Sequence, residues 1–286
     1  VHESCQKGPA PPRATSAPHR SPLLHGGELV CEDEQRGVST LYESFLAATH
    51  RHGPRPCLGF RRTLNHPHND FGEYTWCSYD TAHKRVLCVG SALRHLGVLR
   101  GESVGLLCEN CSEWVLVEQA CHAYGFVTVP LWSTVGASFV ERLLADSGVC
   151  TVVCSVRWTT ALLEAVHRGR CPSLRLIVQR EHLRYEQLAA REALPPTLAL
   201  KLYDFAFVER MGYCRRLPPT PSAPSDLATI VYRWRLDDDP VGCRLTQANL
   251  VASLCALRMS TAALVTHADV HLSYVPLAHI FETMVE

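Results

Sequence analysis

The chain has 286 residues, 47% of them hydrophobic, enough for one large domain or two small ones with a sizeable core. Lys plus Arg and Asp plus Glu balance at 28 each, so no global field favours nucleic acid or an anionic membrane. No stretch approaches the roughly 18 apolar residues of a membrane span, so no transmembrane segment is expected.

Residues 1–36 are rich in Pro, Gly, Ser, His and charge and read as a disordered tail, without the basic start and apolar core of a signal peptide. A helix is expected from Thr40, with Glu43 completing a capping box and Leu41, Phe45 and Ala48 on its apolar face. Cys57 to Arg61 and Gly72 to Trp76 read as short strands joined by a polar loop, Thr63 to Asp70. His66 and His68 in that loop lack further ligands, so no metal is assigned to them.

Ser78 caps a helix over 79–96 whose stripe is Val86, Leu87, Leu93 and Leu96, and Gly97 ends it. Strands are then expected at 103–108, 126–130, 149–156 and 174–178. Helices alternate with them at 113–124 (capped by Ser112), 137–146 and 159–167. Such alternation, with apolar strands, predicts an α/β fold: a mostly parallel sheet covered by helices on both faces. The stretch 181–209 is more charged and less periodic, Pro195-Pro196 breaks it, and Pro218, Pro219, Pro221 and Pro224 mark a linker.

Fourteen cysteines are scattered, and Cys88, Cys108, Cys121 and Cys154 fall in apolar stretches. That pattern suits reduced thiols in an intracellular, reducing compartment, cytoplasmic or peripheral on an intracellular membrane. Cys108-Glu-Asn-Cys111 has metal-ligand or redox spacing, but no second pair follows at zinc-ribbon distance.

Ala228 to Tyr232 reads as a buried strand, followed by a charged loop and by Thr246-Gln247-Ala248-Asn249 opening a helix over 245–259. A strand is expected at 269–275, closed by Pro276. A phosphate cradle at the loop would need inward amides, small residues and a Lys or hydroxyls. Bulky Trp234 and three acids, Asp237, Asp238 and Asp239, oppose that, with Arg233 and Arg235 offsetting two charges. A solvated charged loop is favoured over a Mg²⁺ site on the aspartates.

Several stretches resemble the AMP-forming long-chain acyl-CoA synthetases of the adenylate-forming superfamily. They are Thr40-Leu41-Tyr42-Glu43 with Phe45; Leu58-Gly59 with Arg61; Gly72, Tyr74, Trp76 and Ser78-Tyr79; Asn110 with Glu113-Trp114; Gln119-Ala120; and Val129 to Gly136. In that family such residues mostly build the fold, and Trp114 reads as core packing. Asp226 to Ile230 and Tyr232 match the entry to the family's phosphate loop, and Pro240, Gly242, Leu245, Thr246, Asn249 and Leu250 match its exit. Residues 233–238 and Val241 replace its Thr, Ser, Gly and Lys, so the loop is degenerate. Tyr274-Val275-Pro276-Leu277-Ala278-His279, with Glu282, is similar to the Tyr-Leu-Pro-Leu-Ala-His motif that lines the acyl pocket.

The resemblance implies the N-terminal part of the adenylate-forming fold, incomplete at its C-terminus. It divides the chain into an α/β subdomain at 37–217 and, at 218–286, a linker, the phosphate-loop region and the start of a second subdomain. Tyr232, Pro240, Gly242 and Thr246 are its nucleotide-loop positions; Tyr274, Pro276, His279 and Glu282 are its acyl or adenylation-pocket candidates, with His279 beside the substrate carboxylate. The implied reaction is attack of a fatty-acid carboxylate on the α-phosphate of Mg-ATP, then displacement of AMP by coenzyme A. ATP, Mg²⁺ and coenzyme A are thus the implied cofactors, fatty acid the partner, with room for peripheral membrane association. The chain starts at Val1 and stops at Glu286 within a continuing pattern, so a piece of a longer product, inactive by itself, is expected. The competing reading is a non-catalytic relative that binds an acyl chain or a partner. A dinucleotide oxidoreductase is disfavoured, because no Gly-x-Gly-x-x-Gly follows a strand.

Overall fold

A computed structural model describes residues 37–65, 70–233, 240–261, 266 and 268–285. The proposed tail at 1–36, the histidines at 66 and 68 and the charged positions 234–239 lie outside these.

Helix α1 (Leu41–His52) begins at the expected capping box, Thr40 Oγ1 accepting from Glu43 N at 3.2 Å. Of its expected apolar face Phe45 packs against the core, while Leu41 and Ala48 are half-buried and Tyr42 and Thr49 are the fully buried positions. Strands β1 (Pro56–Asn65) and β2 (Asp70–Ser78) pair antiparallel in a two-stranded sheet, each longer than its apolar segment. Helix α2 (Tyr79–Leu96) follows with Ser78 as N-cap and Gly97 at φ 103°, a left-handed position that suits glycine.

The chain then alternates strand and helix: β3 (Ser103–Leu107), α3 (Ser112–Tyr124), β4 (Val127–Pro130), α4 (Ala137–Ser147), β5 (Thr151–Cys154), α5 (Val156–His167) and β6 (Leu176–Gln179). Ser112 is already helical, so Cys111 rather than Ser112 takes the N-cap position, with no side-chain cap bond.

The stretch 181–209 is more regular than its sequence reads. It holds α6 (Tyr185–Glu192), β7 (Lys201–Asp204) and the start of α7 (Phe205–Cys214). α6 buries only Gln187 and β7 only Leu202, so neither leaves a strong apolar period. Next come β8 (Leu227–Arg233), β9 (Val241–Thr246), α8 (Gln247–Thr261) and α9 (Ile280–Val285). Two further expectations are corrected. Residues 241–246 form a strand on β8 rather than loop, and the helix starts at Gln247 rather than Leu245. Residues 269–275 are not a strand: Val270, Leu272 and Tyr274 alternate as a strand would but are 74%, 67% and 78% exposed, with no neighbouring strand among the described residues.

The main sheet has the order β7-β6-β5-β3-β4-β8-β9, parallel except for the β8–β9 pair. α1, α2, α3 and α7 cover one face through Tyr42, Val86, Leu93, Trp114 and Phe205. α4, α5 and α6 cover the other through Val140, Leu143, Leu163 and Ala190. Such two-sided cover demands apolar strands, and every residue of β4, β5 and β6 is buried. The chain runs from β3 to β4 on one side and then returns across β3 to β5 on the other, so the direction of the connections reverses there. Ligand crevices form outside the carboxyl ends of strands at such a switch point. None of the described helices is long and apolar enough to cross a membrane.

Candidate functional site

The turn after β3 and the segment 271–282 meet at that carboxyl edge. Asn110 joins them. Its Nδ2 donates to the Val275 carbonyl at 2.6 Å, to Ser273 Oγ at 2.9 Å and to the Ser273 carbonyl at 3.2 Å. Its Oδ1 accepts from Leu277 N at 2.8 Å. An irregular segment at a sheet edge needs partners for its backbone polar groups, and one amide side chain supplies several of them. Leu277 and Ala278 are thereby seated in the core.

The four pocket candidates separate by environment. Tyr274 and Pro276 are exposed. His279 is also exposed; its ring lies edge-on to Trp132 at 6.1 Å, and Nδ1 accepts from Phe281 N at 3.2 Å. Its carbonyl accepts from Glu282 N at 2.9 Å, opening α9. That leaves Nε2 as the ring atom with no hydrogen-bond partner among the described residues. Glu282 is only 1% exposed and accepts from His271 Nε2 at 2.9 Å. A buried carboxylate held this way braces the segment; of the four, His279 offers an open polar atom beside an aromatic wall.

The nucleotide-loop positions lie along the β8–β9 hairpin, Tyr232 and Gly242 paired next to the loop and Thr246 at its far end. Tyr232 is buried, and its hydroxyl donates to Asp146 Oδ2 at 2.5 Å. Burial and the Asp146 charge push its pKa up, keeping the phenol neutral. Gly242 faces Tyr232 across the ladder, and a Cβ there would lie 2.8 Å from Ile230 Cγ2 and 3.1 Å from Tyr232 Cζ. The glycine is needed for close packing, not for a positive φ. Thr246 Oγ1 accepts from Asn249 N at 3.2 Å, while Asn249 Oδ1 accepts from Thr246 N at 3.0 Å, a reciprocal cap on α8. Pro240 is half-buried ahead of β9.

Tested as a nucleotide cradle, three of the four flank positions are already engaged within the fold. Tyr232 donates to Asp146, Thr246 caps α8, and Gly242 is covered by Tyr232 and Ile230. No group of three or more metal-ligating side chains occurs among the described residues, and the aspartates weighed for Mg²⁺ lie outside them. Cys108 and Cys111 lie with their sulfurs 3.8 Å apart, without a third ligand.

Sequence reasoning missed Asn110, Trp132, His271 and the buried contact of Gln247 Nε2 with His122 Nδ1 at 3.2 Å. Gln247 Oε1 also accepts from Leu41 N at 3.0 Å, tying α8 to α1. Burial alone pushes His122 down to about 4. Asn110 and Trp132 stood within family-like stretches, but their partners are far away in sequence, so no local spacing marks them.

Residues 45–286 match the family described as AMP-binding enzyme. The chain is 31% identical over 245 residues to the peroxisomal long chain acyl-CoA synthetase 6 of Arabidopsis thaliana, covering 86% of this chain and 33% of that protein. It is 32% identical over 252 residues to long-chain-fatty-acid–CoA ligase 6 of Rattus norvegicus, covering 86% and 35%. The fold is similar to the A domain of a carboxylic acid reductase from Segniliparus rugosus, solved with AMP and a co-purified carboxylic acid. The TM-score is 0.72 at 15% identity, over 89% of this chain and 43% of that one. The chain thus spans about a third of the length of the curated relatives it matches.

Proposed function

The chain belongs to the AMP-binding enzyme family, and from that premise we propose that the protein carrying it joins long-chain fatty acids to coenzyme A using ATP and Mg²⁺. The identity to long-chain synthetases along 86% of the chain is the observation that carries this reading. The 37–217 and 218–286 division follows from it, with the later residues opening a second subdomain. ATP would supply activation of the carboxylate. This chain's residues serve orientation: Asn110 seats the 273–277 segment, Glu282 braces it through His271, and His279 stands exposed beside Trp132.

We expect no turnover from the 286 residues by themselves, because Tyr232, Gly242 and Thr246 are engaged within the fold and positions 233–238 and 241 depart from the family's loop. The test is ATP- and CoA-dependent thioester formation with palmitate, run on this chain and on one extended to the relatives' length. No product from the first and thioester from the second is expected. Thioester from the 286 residues alone overturns the claim of inactivity. An extended chain that binds palmitate without making thioester favours the second reading, a non-catalytic acyl-binding relative, for which the substituted positions 233–238 and 241 speak.

A further inference from the structure

Two thiols flank Asn110. Cys108 follows β3 and is buried; Cys111 is the half-buried N-cap of α3. Their sulfurs lie 3.8 Å apart, so closure to a disulfide of about 2.05 Å needs a movement of under about 2 Å. The two sulfurs are electrostatically unequal. A hydrogen bond from the Cys108 thiol holds Cys111 below the usual thiol range, with the Trp114 amide and the Arg180 guanidinium acting in the same direction against burial and the Glu113 charge. The same hydrogen bond, with burial, pushes Cys108 up. A thiolate at a helix N-terminus beside a cation is the attacking member of such pairs, and a buried thiol within reach is the resolving one.

We propose that Cys108 and Cys111 form a reversible disulfide with a low-molecular-weight disulfide as oxidant, and that ring closure loosens the hold of Asn110 on residues 273–277. The Cys111 thiolate attacks one sulfur of the small disulfide RSSR and expels one RS⁻, leaving a mixed disulfide. Cys108 loses its proton to that RS⁻, attacks Cys111 Sγ and expels the second RS⁻, which takes a proton from solvent. The protein thiols are oxidised by two electrons, and RSSR becomes two RSH. The ring encloses Glu109 and Asn110. Asn110 makes its four contacts from a turn whose ends then move together, so the Leu277 amide loses its fixed acceptor.

The test uses the whole chain incubated natively with glutathione disulfide, with thiols trapped, peptides mapped by mass and amide exchange followed. The 108–111 peptide should become lighter by its two thiol hydrogens and return on dithiothreitol treatment. Cys88, Cys121 and Cys154, all buried, should stay thiols. C111S should leave Cys108 a thiol, and the mapping of the unsubstituted chain decides the matter should C111S not fold. Exchange at Leu277 should quicken roughly tenfold on oxidation. A lasting glutathione adduct on Cys111 without the ring overturns the disulfide; a ring with unchanged Leu277 exchange overturns the coupling.

Discussion

The Asn110 amide nitrogen lies 2.6 Å from the Val275 carbonyl oxygen, a bond across 165 positions of sequence. It decides where the 271–282 segment rests, because that segment has no strand or long helix of its own to satisfy its backbone.

Asn110→Ala should therefore cost about 2–4 kcal/mol, since several bonds go and the Leu277 N–H loses its partner. Urea unfolding of both chains reads the difference. A loss under about 0.5 kcal/mol, the level of a neutral surface substitution, contradicts the clamp.

Gly212 on α7 faces α2 so closely that a Cβ would lie 1.7 Å from the Cys88 carbonyl oxygen. Backbone cannot swing aside as a side chain can. Gly212→Ala should cost about 1–3 kcal/mol or more and lower the thermal midpoint. An unchanged melt would show that α7 does not pack this tightly on α2.

His122 gives a pH signature. Its folded pKa, about 4, lies below its ordinary value of 6.5 because of burial. Between these values the unfolded chain takes up a proton that the folded chain refuses. The stability linked to this group is complete above pH 6.5 and is lost as pH falls through that window, by roughly 3 kcal/mol in all. His122→Gln removes this titration and should flatten that part of the stability profile. Equal slopes for both proteins between pH 6.5 and 4 would refute it.

The charged loop can be tested by restoration in the extended chain. Arg233→Thr, Trp234→Ser, Arg235→Gly, Leu236→Thr, Asp237→Thr, Asp238→Gly and Val241→Lys together supply small residues and a cation. Val241 is 64% exposed on β9, so a Lys fits there without burial. Mg-ATP affinity by calorimetry should rise about tenfold, or about 1.4 kcal/mol, within reach of one charge-assisted hydrogen bond. If the original loop binds as tightly, the aspartates do not oppose phosphate, and the Mg²⁺ reading returns.

The sequence was most legible where chemistry is local. Thr40 with Glu43 and Ser78 with Gly97 mark helix ends through bonds made within a few residues, and all four act as read. Trp114, read as core, is 1% exposed. The edge elements were harder, since β7 and α6 bury too little to impose a period. The 269–275 segment shows the opposite failure, an apolar alternation with no strand beside it among the described residues.

The amino-acid order alone determined the alternation of strand and helix, the parallel sheet it forces and the family it resembles, because periodicity and capping act over a few residues. Tertiary structure alone decided that Glu282 is buried against His271 while His279 stays open, that Tyr232 donates to Asp146, and that Cys108 and Cys111 bracket the residue holding the 273–277 segment. Each of these depends on which residues the sheet order brings to one edge. That order is set by burying both faces of the sheet at once, a requirement on the whole chain that no short stretch of it encodes.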